Sequence, residues 1–102
     1  GVRHPNYATR LHNLAGVVES QGRYTEAEEL YREALEIDRA TIGERHPGYA
    51  SGLGNLGQLL AQTGRVAEGR EMLEQALVVF RANLPPDHPH IGVVERGHAA
   101  LS

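Results

Sequence analysis

The segment HPNYATRLHNLAGVVESQGRYTEAEELYREALEIDRA, residues 4–40, returns 42 residues later as HPGYASGLGNLGQLLAQTGRVAEGREMLEQALVVFRA, residues 46–82. The two copies align without a gap, and His-Pro occurs a third time at residues 88–89. The matched positions include Tyr7 with Tyr49, Ala8 with Ala50, Leu11 with Leu53, Asn13 with Asn55, Leu14 with Leu56 and Gly22 with Gly64. A repeat of this length indicates an array of stacked units.

Each unit is predicted to consist of two helices joined by a tight turn. The first begins at His-Pro, because proline lacks the N–H that has no acceptor in a first helical turn, and ends at Gly22, which tolerates the left-handed conformation. The second begins at Thr25, which is expected to form a capping box with Glu28. The expected buried stripes are Tyr7, Leu11, Leu14, Ala15 and Val18 in the first helix and Ala27, Leu30, Tyr31, Ala34 and Ile37 in the second.

The pattern divides the chain into three parts. Unit 1 covers residues 4–45, with helices at about 5–21 and 25–42; unit 2 covers residues 46–87, with helices at about 47–63 and 66–84. Residues 88–102 form a partial third unit or capping helix, whose departures from the repeat suggest a shifted register. One helix pair cannot bury its apolar face alone, so neighbouring pairs must stack. The predicted fold is therefore all-α, an α-solenoid of five helices in about two and a half repeats.

The small-and-large pattern of these pairs resembles the tetratricopeptide repeat. The form HPxYA…LxNLA…QGRYxEAExLYxxALEI looks like the kinesin light chain variety, and the resemblance covers residues 4–87 well and 88–102 poorly. It implies a non-catalytic scaffold for protein interactions, whose first helices line a concave groove that binds a peptide or a protein segment. A cytoplasmic location is expected for such a scaffold.

The groove-facing Asn of many such repeats aligns with Asn13 and Asn55. A carboxamide can both donate a hydrogen bond to an extended peptide backbone and accept one from it. The alternative is that each Asn bonds a neighbouring helix terminus or turn. By register, the same surface includes Thr9, His12, Gly16, Ser20, Ser51, Gly54, Gln58 and Gln62. Basic residues that clamp a C-terminal carboxylate in some family members are absent from these positions.

The stretch GLGNLG, residues 52–57, has the G-x-G-x-x-G spacing of dinucleotide-binding loops. It aligns with residues 10–15, which contain no glycine, so the spacing is not a property of the repeat. A dinucleotide site also needs a preceding strand, and HPGYAS instead predicts the start of a helix. The favoured interpretation is a helix interior, with no cofactor.

Composition argues against several other classes of function. The 102-residue chain has no cysteine, a formal net charge of −3 and ten positive side chains, all Arg, among thirteen carboxylates. Nucleic acid is therefore an unexpected partner. No apolar run reaches the roughly 18 to 20 residues that cross a bilayer, so a soluble segment without a membrane partner is expected.

Histidine and serine residues do not form a recognisable chemical site in the sequence. Six histidines include the cluster Asp87-His88-Pro89-His90, but His-Pro recurs at helix starts and a structural zinc ion usually takes four ligands. The serines are Ser20, Ser51 and Ser102, and none lies on a strained strand-to-helix turn. The sequence thus predicts neither a metal site nor a catalytic one.

A second hypothesis is self-association, or structural packing within a larger parent such as an ATPase or signalling protein. It is motivated by ALVVF, residues 76–80, where Val78 and Phe80 replace Glu36 and Asp38 of unit 1. The end of this helix is therefore more apolar than its counterpart. Val78, Val79 and Phe80 are the candidates for a contact between copies through exposed terminal helices.

Overall fold

The computed structural model describes residues 5–101, which form an all-α solenoid of five helices without strands in that range. The helices are α1 (Pro5–Ser20), α2 (Tyr24–Thr41), α3 (Pro47–Gln62), α4 (Val66–Asn83) and α5 (Pro89–Ala100). Each helix packs on the next one along the chain. The helix ends lie within one residue of the expected positions, while the division of the chain into units stays a prediction.

The turn inside each unit depends on one glycine. Gly22 has φ 80° and Gly64 has φ 95°, both in the left-handed region that side chains with a Cβ rarely adopt. The amide of Arg23 reaches back to the carbonyl of Val18, which closes the end of α1. The left-handed helix end predicted at Gly22 is confirmed.

His-Pro forms a two-part helix start. Proline occupies the first turn, and the histidine side chain caps it: Nδ1 of His46 accepts from the amide of Gly48 at 2.9 Å, and Nδ1 of His88 accepts from the amide of His90 at 3.1 Å. Each histidine satisfies one of the amides that a helix start leaves without an acceptor. His4, the first residue of this type, lies outside the described residues, as does Ser102.

The capping box predicted for Thr25 and Glu28 is wrong. The N-cap of α2 is Arg23, which makes no side-chain capping bond, so Thr25 lies inside the helix. The carboxylate of Glu28 accepts instead from Arg65 of the next unit and from Arg32, the latter at 2.9 Å. These bonds, the one from Arg65 foremost, hold the pKa of Glu28 below its ordinary value. Glu28, which the local pattern assigns to a capping box, therefore takes part in the contact between the two units.

α3 is the most buried helix because it lies between α2 and α4. Nine of its sixteen residues are buried, and three of its leucines are among the largest fully buried side chains. The glycine-rich stretch 52–57 is part of this helix and follows no strand, so it does not form a phosphate-binding loop. The predicted helix interior is confirmed.

Leu14 is an error in the predicted buried stripe. Its side chain is 49% exposed, whereas Leu56, one repeat later, is 0% exposed. Val17 and Leu59 differ in the same way, at 55% and 1%. α1 packs mainly on α2, while α3 packs on both α2 and α4. Position in the array, and not residue type, decides which of these equivalent residues is buried.

Two glycines set the distance between α3 and α4. A Cβ added at Gly57 would lie 2.9 Å from the carbonyl oxygen of Gly69, so the helix backbones touch at this crossing. Unit 1 has Ala15 and Ala27 at the equivalent positions. The environment of Gly54 is different, because a Cβ there would meet only Val94, at an ordinary 3.7 Å.

α5 continues the array without a shift. The imidazole of His12 in α1 lies against Gly52 of α3, and Val94 of α5 lies against Gly54 of α3. The second contact repeats the first one period later, so α5 sits on α3 as α3 sits on α1. The shifted register suggested by the sequence of the last helix is wrong.

Leu56→Ala and Leu14→Ala test the difference between equivalent positions. Leu56→Ala is expected to lower the free energy of unfolding by about 2–5 kcal/mol, because lost burial and a cavity add up. Leu14→Ala is expected to cost less than about 1 kcal/mol, since its side chain is half exposed. Urea unfolding followed by circular dichroism measures both, and equal losses would contradict the assigned stacking.

Gly54→Ala and Gly57→Ala form a second matched pair within one helix. Gly54→Ala is expected to raise the free energy of unfolding by up to about 1 kcal/mol through helix propensity, because its Cβ has room. Gly57→Ala is expected to lower it, because its Cβ would press on the backbone of α4. Thermal unfolding of both variants decides, and a destabilised Gly54→Ala would contradict this packing.

Candidate functional site

The groove candidates predicted from the repeat lie on α1 and α3, and the surface formed by α1, α3 and α5 is called here the first-helix face. The close approaches of His12 to Gly52 and of Val94 to Gly54 place these three helices side by side. The exposed candidates are Thr9, Asn13, Gly16, Ser20, Ser51, Asn55, Gln58 and Gln62, while His12 is half-buried and Gly54 is buried.

Most of these candidate residues line one of two hollows. The α3–α5 hollow has a volume of about 300 Å³ and is lined by Ser51, Gly54, Asn55, Gln58, Phe80, His90, Val93 and Val94. The α1–α3 hollow, of about 430 Å³, is lined by Gly16, Glu19, Ser20, Tyr24 and Gln62. The structure thus groups four of the ten candidates in one hollow and three in the other. Thr9, His12 and Asn13 line neither hollow.

Asn13 and Asn55 occupy equivalent places on α1 and α3, and both are exposed. Among residues 5–101, neither carboxamide has a hydrogen-bond partner. In the described part of the chain, therefore, neither Asn forms the hydrogen bond to a nearby helix terminus or turn that the alternative requires. Both side chains keep their full capacity to donate and accept.

His12 is directed into the protein. Its Nε2 lies 3.0 Å from Oδ2 of Asp38, whose residue is only 5% exposed. The other ring nitrogen, Nδ1, is buried without a partner among the described residues. The ring also lies near Tyr31, whose pKa is raised by burial and by the carboxylate of Glu19 that accepts from its hydroxyl at 3.0 Å. His12 thus links α1 to α2 beneath the first-helix face.

Unit 2 replaces this polar pair with an apolar arrangement. Gly54 stands where His12 stands in unit 1, and Phe80 stands where Asp38 stands. Phe80 is 1% exposed, and its ring centroid lies 5.7 Å from that of His90. Gly54 has no side chain where unit 1 has an imidazole, and Gly54 and Phe80 both line the α3–α5 hollow.

The α3–α5 hollow combines apolar walls with a polar rim. Phe80, Val93 and Val94 supply the walls, and the amide side chains of Asn55 and Gln58 supply hydrogen-bonding groups. None of its lining residues is Asp, Glu or Arg. Such a lining suits an uncharged apolar side chain whose attached backbone meets the amides.

The same hollow offers no recognisable reaction chemistry. Ser51 and His90 both line it, but no hydrogen bond joins them, and a serine without a placed base is not an activated nucleophile. Within residues 5–101, no group of three or more His, Asp or Glu side chains is placed to hold a metal ion. Nor does any helix in that range have the length and apolar character to cross a bilayer.

The candidates for self-association have separate environments. Val78 is 69% exposed, Val79 is half-buried, and Phe80 is buried within the core that includes Ile91 and Val94 of α5. The apolar end of α4 is therefore largely an internal surface that α5 covers. A contact through Phe80 would require α5 to move away.

Comparison with known proteins gives one family. A tetratricopeptide repeat model matches residues 6–82. A solved structure from Podosopora anserina, described as a kinesin light chain with nearly identical TPR-like repeats, has a TM-score of 0.90 and 26% identity, and covers 99% of this chain and 48% of its own. BtubC (BKLC) from P. vanneervenii has a TM-score of 0.87 and 28% identity, over 97% of this chain and 40% of its own. No curated protein matches. The chain thus spans less than half the length of these structures.

A double-mutant cycle tests the coupling of positions 12 and 38. His12→Gly leaves Asp38 buried without its partner and is expected to lower the free energy of unfolding by about 3 kcal/mol. Combining it with Asp38→Phe copies the arrangement of Gly54 and Phe80, and is expected to recover at least half of that loss. Urea unfolding of the single and double variants gives the coupling energy. A double variant that loses the sum of the single losses would refute the coupling.

Proposed function

The chain belongs to the tetratricopeptide repeat family, and from this membership we propose that it is a non-catalytic module that binds an extended segment of a partner protein on the first-helix face. Folds of this family are typically non-catalytic scaffolds for protein–protein interaction. Stacked repeats suit this task, because their curvature creates long concave surfaces.

The observation that carries the proposal is the pair Asn13 and Asn55. Both are exposed, equivalent in the repeat and without a partner among the described residues. An extended peptide presents amide and carbonyl groups along its length, and a carboxamide can bond one of each. Two carboxamides at repeat spacing would hold the ligand backbone at two points.

The α3–α5 hollow would supply the side-chain anchor. Its volume of about 300 Å³ and its uncharged lining fit one large apolar side chain of the ligand. Buried apolar and aromatic anchors usually carry most of the binding energy, while the surrounding polar contacts set register. The Asn55 amide on the rim would then bond the ligand backbone beside that anchor.

The proposal includes no cofactor, nucleic-acid or membrane partner, and keeps the cytoplasmic location expected from the sequence. Self-association through Val78, Val79 and Phe80 is the alternative, and it would require Phe80 to leave its place beneath α5. Because this chain covers under half of its solved relatives, the partners of any longer protein belong to the proposal as well.

Selection from a random 12-residue phage library on the full chain provides the ligand for the test, and fluorescence anisotropy measures its affinity. Changing Asn13 and Asn55 together to Ala is expected to weaken binding by about tenfold or more, since each loss removes backbone hydrogen bonds. Gly54→His is expected to weaken it similarly, because an imidazole at a position that lines the hollow would reduce the space for the ligand side chain.

Gln75→Ala is the matched control, since Gln75 is an exposed amide on α4, away from the first-helix face. It should leave the affinity unchanged. If the library yields no binding peptide, or if the Asn and Gly54 variants bind as tightly as the control, the proposed site is wrong.

A further inference from the structure

The contact between the two units has an apolar centre and a charged edge. Leu56 and Leu59 of α3 are fully buried between α2 and α4. At the edge, Arg32 of α2 donates to Glu68 of α4 at 3.0 Å, and Arg65 donates to Glu28 of α2. α2 therefore contributes Glu28 and Arg32, four residues apart. Unit 2 contributes Arg65 and Glu68, three residues apart.

On the side that faces away from unit 2, unit 1 carries the residues that correspond to the unit 2 side of this contact. One period before Leu56, Leu59, Arg65 and Glu68 stand Leu14, Val17, Arg23 and Glu26, called here the N-terminal face. Leu14 and Val17 are about half exposed. Arg23 and Glu26 are also about half exposed, and they bond to each other, with Nε and Oε1 3.0 Å apart.

We propose that the N-terminal face binds a helix with the chemistry of α2: Glu and Arg four residues apart beside an apolar flank. In such a complex the helix would cover Leu14 and Val17, as α2 and α4 together cover their equivalents in unit 2. Its Glu would pair with Arg23 and its Arg with Glu26. Apolar burial supplies most of the affinity, because exposed ion pairs contribute little, while the charges select the partner.

A second copy of this chain does not meet these requirements. Its α2 is already packed inside the copy, and the corresponding helix, α4, has the charges reversed: Arg70 and Glu74 stand where Glu28 and Arg32 stand in α2. Docking α4 on the N-terminal face would set Arg70 against Arg23 and Glu74 against Glu26. Like charges placed opposite each other disfavour the wrong partner.

Arg70 and Glu74 are, moreover, engaged with the last helix. Arg70 donates to the carbonyl of Leu101, and Oε1 of Glu74 lies 3.0 Å from Nε2 of His98. α5 therefore covers this side of α4. The reversed charges therefore oppose docking of α4 from a second copy on the N-terminal face.

The probe for this surface is a synthetic peptide with the sequence of residues 21–45, which contains α2, titrated into the ¹⁵N-labelled full chain. Amide shifts are expected to change around Leu14, Val17 and Arg23, and not around Asn55. A peptide with Glu28→Arg and Arg32→Glu is expected to bind about tenfold more weakly, because both charge pairs become repulsive. Circular dichroism confirms that labelled variants are folded.

The matched variant exchanges the charges on the protein side. In the chain carrying Arg23→Glu and Glu26→Arg, the exchanged peptide is expected to bind about tenfold more tightly than the native one. Equal affinities of the two peptides would overturn the proposal, as would shifts confined to the first-helix face. No shift at about 2 mM peptide, where a ligand of millimolar Kd would be largely bound, would also overturn it.

Light scattering of the unmodified chain over a hundredfold dilution tests the competing occupant. A constant monomer mass is expected. A dimer that is lost on Leu14→Glu would make a second copy the occupant of the N-terminal face and would refute the charge argument.

Discussion

A pair of helices leaves apolar residues uncovered on its outer sides unless another pair packs on it. The rest of this structure depends on the packing of α3 between α2 and α4. It buries Leu56 and Leu59 completely, while their equivalents Leu14 and Val17 stay half exposed. It also brings α1, α3 and α5 side by side into one face. Stability, the candidate binding surface and the exposure of the N-terminal face all follow from this arrangement.

Differences between the two units shape what that common framework can bind. The hydrogen-bonded pair His12 and Asp38 closes unit 1 beneath its surface. Gly54 and Phe80 at the same positions leave an open, uncharged hollow in unit 2. The charges also differ between the units, since Glu28 and Arg32 of α2 are replaced by Arg70 and Glu74 in α4. Equivalent helices therefore form an apolar hollow between α3 and α5 and a charged edge on the N-terminal face.

The repeat in the sequence is sufficient to predict the helices and the turns that join them, because the period and the turn glycines act locally. It is wrong at Leu14, since a sequence period treats both units alike while only one of them has neighbours on both sides. The Thr25 cap fails because Glu28 pairs with Arg65, which lies in the next unit. The α3–α5 hollow was not predicted, because it requires a side chain to be missing at one position and a ring to be present on another helix.

Residue-resolved hydrogen exchange under native conditions tests most directly whether the shared core at α3 holds the array together. The amides of Leu56 and Leu59 are expected to exchange only through global unfolding, since α3 cannot open without disrupting both neighbours. The amides of Leu14 and Val17 are expected to exchange through a smaller opening, at a clearly lower free energy, because α1 has one main packing partner, α2, instead of two. Equal protection of α1 and α3 would contradict the account.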